Sequence, residues 1–188
     1  MRFIHARFAT REQQFSCFAV LLYLFNIYGH IPVSNVCYYL RDTYTEATYT
    51  LTIQLTGLAL AALFSSYLCL RLIRPSVQYP KLGAWLLFGG IIAYYYQQLI
   101  VFAIEYVHFM QYALFTLCLI TACHQRLLLA LSLSLLAGFF DEVYQAYHPS
   151  APLNWRDILL NVIGVSAGGL LHWSLAPTPR AAGQRFLS

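Results

Sequence analysis

The sequence predicts an all-α protein: a polytopic transmembrane helical bundle of about six spans with both termini cytoplasmic. Three observations predict it. Of the 188 residues, 60% are hydrophobic and 10% charged, with mean hydropathy +0.59. Soluble domains carry about 25% charged residues, so this chain lacks the polar surface to face water. Apolar runs long enough to cross about 30 Å of hydrocarbon recur along the chain. Finally, the basic residues are unevenly distributed between alternate connections. Six spans of about 20 residues leave no room for a separate soluble domain, so residues 1–188 are read as one transmembrane domain.

The first apolar run, 15–33, follows Arg2, Arg7 and Arg11 and lacks a small-x-small cleavage site, so an uncleaved first span is expected. An outer loop over 34–49 carries Tyr38, Tyr39, Tyr44 and Tyr49, as an aromatic interface belt would. The second run, 50–72, stops at the basic, proline-punctuated "RLIRPSVQYPK". The third and fourth, 83–103 and 105–123, are almost continuous. Their boundary is placed at Glu105, because a carboxylate is costly at mid-bilayer. The fifth and sixth cover 127–147 and 157–176. Five cysteines without a CxxC pair, four of them inside apolar runs, read as small packing residues.

With the N-terminus inside, the inner segments hold Arg2, Arg7, Arg11, Arg71, Arg74, Lys81, Arg126, Arg180 and Arg185; the outer ones hold Arg41 and Arg156. That asymmetry favours six spans over five. The net charge of +4 is then a topology signal. No basic patch with interleaved aromatics exists, so nucleic acid is not expected as a partner; membrane lipids are.

Under this topology three polar groups reach the outer side together. Glu105, His108 and Tyr112 open span four, Asp141, Glu142 and Gln145 close span five, and Asp157 and Asn161 open span six. At 3.6 residues per turn each set falls on one helix face. Span five continues its stripe through Ser134 and Gly138, and span six through Gly164-x-x-x-Gly168, a close-packing pattern. Lipid does not solvate such stripes, so they are expected to face one another. From Leu127 to Phe140 a helix rises only about 21 Å, which places Asp141 roughly 9 Å below the outer edge.

The segments "EYVHFMQYALFTL" (105–117) and "DEVYQAYHP…DILLNVIGVSAGG" (141–169) resemble the VanZ-like family of bacterial integral membrane proteins. The family's pattern is a His-bearing segment opening one helix, then Asp-Glu-x-x-Gln, then Asp-x-x-x-Asn-x-x-Gly. Here these map onto His108, onto Asp141, Glu142 and Gln145, and onto Asp157, Asn161 and Gly164. The motif-bearing part is 104–175. Where the family usually has an Arg in a loop before the last motif, this chain has Ala151; Arg156, next to Asp157, is the available substitute. The resemblance implies a multi-pass protein of the bacterial inner membrane. The family is named for a member linked to glycopeptide resistance, a phenotype not carried over to this chain.

Two readings of the cluster compete. As an enzyme site, His108, Glu105, Asp141, Glu142 and Asp157 are the catalytic candidates: crowded carboxylates supply an acid and a base together, and His108 can shuttle a proton. Gln145, Asn161, Tyr112 and Arg156 are the substrate-binding candidates. An outward-facing pocket of this kind suits hydrolysis or group transfer on a lipid-linked or cell-envelope substrate. His with carboxylates can hold a divalent ion, but no HExxH-like signature is present and no metal ligand is assigned. Few outer cations weigh against a pyrophosphatase. As a non-enzymatic protein, the chain would be a transporter or accessory subunit coupling protons or ligands through the carboxylates, or the polar groups would simply pin helix register. Interhelical polar pairs contribute only about 0.6 kcal/mol each, against about 2.5–3.5 kcal/mol to insert one mid-span carboxylate. Pinning alone is therefore an expensive use of four acids. No internal repeat marks a transporter.

Overall fold

The computed structural model describes residues 10–73, 78–99, 105–147 and 154–176. Within them lie six α-helices: α1 (Arg11–Tyr44), α2 (Glu46–Ile73), α3 (Tyr79–Leu99), α4 (Glu105–Ala122), α5 (Leu127–Ala146) and α6 (Trp155–Leu175). No strand occurs among the described residues. The loop holding Ala151 and the basic residues Arg2, Arg7, Arg74, Arg180 and Arg185 lie outside what is described.

The expected outer loop over 34–49 is corrected: α1 runs on to Tyr44, and only Thr45 separates it from α2. A capping box starts α1, with Thr10 Oγ1 accepting from Gln13 N–H and Gln13 Oε1 accepting from Thr10 N–H. Pro32 does not end the helix but bends it. The halves Arg11–Gly29 and Pro32–Tyr44 meet at 56°, as expected where a proline ring lacks a donor and crowds the preceding turn. Thr45, at φ 66°, then breaks the chain direction, and its hydroxyl accepts from Thr48 N–H to start α2.

The helices are inverted relative to those of a soluble protein. On α5, Ala130, Ser134, Gly138, Asp141, Glu142 and Gln145 are buried, while Leu128, Leu136 and Phe140 are 80%, 53% and 56% exposed. Small and polar residues face inward and large apolar ones outward, which only an apolar solvent accommodates. Helices α5 and α6 are long and apolar enough to cross a membrane, and the two halves of α1 taken as one span would make a third.

Helix α4 sits at the centre, packed on α6, α1 and α5; α6 also meets α5 and α3, and α2 bridges α1 to α3 at the edge. Glycine sets the α4–α6 spacing. A Cβ on Gly164 would come within 2.6 Å of the Phe109 carbonyl oxygen, and one on Gly168 within 2.6 Å of that of Ala113. The two backbones touch, as small-x-x-x-small faces allow. Tyr112, Phe115, Cys118, Val165 and Ala19 form the core beside this seam, with Tyr23 stacked on Phe115 at 5.8 Å.

At the far end α3 is tied to α6. Lys81 Nζ donates to the Ser174 and Ala176 carbonyls at 3.3 and 2.9 Å, and Trp85 Nε1 donates to Ser174 Oγ at 2.7 Å. A cation on the last carbonyls of α6 satisfies acceptors that helix geometry leaves open.

Candidate functional site

The first turns of α4 and α6 and the last turns of α5 meet at one end of the bundle. Glu105, His108, Asp141, Glu142 and Asn161 are all buried there, at 4%, 6%, 1%, 2% and 2% exposure. Helical spacing accounts for this locally: Glu105 and His108 are three residues apart on α4, and Asp157 and Asn161 four apart on α6.

Asn161 is the hub. Its Nδ2 donates to the Gly138 carbonyl at 3.2 Å and to Glu142 Oε1 at 3.3 Å, and its Oδ1 lies 3.2 Å from His108 Nδ1. With the amide nitrogen committed to two acceptors, Oδ1 accepts from Nδ1–H. That places a ring proton on Nδ1. His108 Nδ1 also lies 3.8 Å from Glu142 Oε1. One amide therefore joins three helices. Gly138 gives it room: a Cβ there would sit 3.1 Å from Asn161 Cβ, a tight contact.

Asp141 is held from below. Tyr112, fully buried, donates its hydroxyl to Asp141 Oδ2 at 3.0 Å. Tyr112, which sequence reading cast as a substrate contact, thus sits beneath the cluster and positions a carboxylate. Asp141 Oδ1 has no hydrogen-bond partner. At the rim Arg156 Nη2 meets Glu105 Oε1 at 3.3 Å, with the Arg156 side chain 36% exposed. Asp157 accepts from Asn154 Nδ2 at 3.0 Å through Oδ2, and lies within electrostatic reach of His108, Glu105 and Arg156. Gln145 is buried near the end of α5, and its Nε2 lacks a partner.

Three buried side chains could together hold an ion. His108, Asp141 and Glu142 each bring one donor atom to within 4.8 Å of the others. Sequence reading assigned no metal ligand, because no HExxH-like signature is present: His108 lies on α4, apart from the adjacent Asp141 and Glu142 on α5.

Two contributors escaped the sequence entirely, both on α1. Asn26, 4% exposed, approaches the Tyr112 hydroxyl without completing a hydrogen bond, and Tyr23 feels the Asp141 charge. A lone amide three residues after a tyrosine in an apolar run was the available signal.

The fold and site define a helical membrane protein with a histidine–carboxylate–amide cluster sealed near one end of its bundle. No family model, curated protein or solved structure matches the chain.

Proposed function

We propose that this chain is a VanZ-like, six-span protein of the bacterial inner membrane, and that its cluster is an enzyme site for hydrolysis or group transfer on a lipid-linked or cell-envelope substrate. One observation carries the reading. An imidazole oriented by Asn161 lies beside Glu142 and near Asp141, buried in a largely apolar bundle. His108 would move the proton, Glu142 and Asp141 would supply the acid–base partner, and Arg156 at the rim, with the buried Gln145, would meet substrate. The proposed topology draws support from the opposite end of the bundle. Lys81 and Arg126 lie there, and Glu12 of the first turn of α1 feels His124 there, whereas Arg156 lies at the cluster.

A second reading, a transporter or accessory subunit coupling protons or ligands, is favoured by the bend at Pro32, since broken helices are a transporter device. Complementation of a deletion strain, with lipid and envelope metabolite profiling, tests the first. His108→Ala and Asp141→Asn are expected to insert at wild-type levels and abolish complementation, with one envelope precursor accumulating. Full complementation by both inserted variants would falsify the catalytic reading; loss of complementation without any change in lipids or envelope precursors would favour the transporter.

A further inference from the structure

We infer that His108, Asp141 and Glu142 form a binding site for one divalent transition-metal ion. The inference builds on reading this cluster as the functional centre, and adds a ligand to it. Three features of the structure carry it. The donor atoms, one ring nitrogen and two carboxylate oxygens, all lie within 4.8 Å of one another. Small side-chain rotations bring such a triangle to the roughly 2.0–2.2 Å at which Zn²⁺ is held.

Second, Asp141 is 1% exposed, and its Oδ1 accepts no hydrogen bond although Oδ2 does. An orphaned oxygen on a buried carboxylate is costly unless something absent from the polypeptide meets it.

Third, the surroundings already do what outer partners of a metal site do. Asn161 Oδ1 lies 3.2 Å from His108 Nδ1 and fixes the ring, while Asn161 Nδ2 and Tyr112 Oη hold Glu142 and Asp141. Mixed nitrogen and carboxylate donors select Zn²⁺ or Mn²⁺ over Ca²⁺. Three protein donors leave a coordination position for a substrate oxygen, the arrangement of hydrolytic rather than structural sites.

The test uses the full chain in detergent, stripped with chelator and titrated with Zn²⁺ and with Mn²⁺. The readouts are bound metal per chain by elemental analysis and the shift in melting temperature. Wild type is expected to retain one equivalent of either ion and to melt higher with it. Asp141→Asn and Glu142→Gln are expected to lose more than about tenfold in affinity, since even outer partners of a site matter by that factor. Asp157→Asn, outside the triangle, is expected to retain the ion. A wild-type chain that keeps no metal and gains no thermal stability overturns the assignment without recourse to any variant. So does undiminished binding by the triad variants. The outcomes separate from those of the enzyme reading: bound metal with full complementation by His108→Ala sinks the activity and keeps the site, whereas a metal-free chain whose His108→Ala variant is inactive does the reverse.

Discussion

At the scale of single residues, Asn161 and Tyr112 decide the geometry. Asn161→Leu removes the acceptor for His108 and the donor for Glu142 at once, and leaves both buried groups without those partners. Such orphaning costs about 1–3 kcal/mol per group. The variant is expected to melt several degrees lower in detergent and to lose complementation; unchanged melting and activity would show that the hub carries neither load. Tyr112→Phe is milder, removing one hydroxyl from Asp141 at an expected cost of about 0.5–1.5 kcal/mol. The ordered polar residues were legible in the sequence because each set repeats at helical spacing on one face: Glu105 with His108, Asp141 with Gln145, Asp157 with Asn161. Their exact partners were not. Which amide atom meets which ring nitrogen depends on the rotation and separation of three helices, and no single run of residues encodes that.

At the scale of helices, the seam between α4 and α6 is the critical joint. Gly168→Val puts branched carbon into the space held by the Ala113 carbonyl and Thr116. Overpacking of this kind costs about 1–3 kcal/mol, and thermal unfolding of the purified chain is expected to show the loss, with Gly83→Val as a control where a Cβ meets nothing within 4 Å. The seam was readable from Gly164-x-x-x-Gly168. The continuation of α1 to Tyr44 was not, because Pro32 reads as a helix stop, whereas here the helix absorbs it as a bend. Nor was the tie between Lys81 and the end of α6 legible. The positive-inside count treats a lysine as a charge near a membrane surface, not as a donor aimed at carbonyls a whole helix away.

For the whole molecule, composition and the apolar exterior agree that the chain belongs in a membrane. Orientation is the measurable remainder. A periplasmic-active reporter fused after Ser150 is expected to be active and one fused after Arg126 inactive, with the pattern reversed for a cytoplasmic-active reporter. Activity on the other side at Ser150 would move the cluster to the cytoplasmic leaflet and end the outer-substrate proposal. Charge asymmetry is the basis of the proposed topology, since nine of the eleven basic residues fall on one side if the chain crosses six times. The role of α1 was illegible because Ala19, Tyr23 and Asn26, which face the core, carry a single amide and no ionisable cluster to mark that face in an apolar run.

The contact between Gly164 and the Phe109 carbonyl lies one turn from Asn161 and one residue from His108. It works as a hinge stop, fixing the gauge of the cluster by main chain rather than by the groups that do chemistry. A methyl at that point would meet a main-chain oxygen at 2.6 Å, so one of the two helices must shift, and the 3.2 Å bond from His108 to Asn161 spans the same pair. An inert substitution can therefore silence a site whose every polar atom is intact.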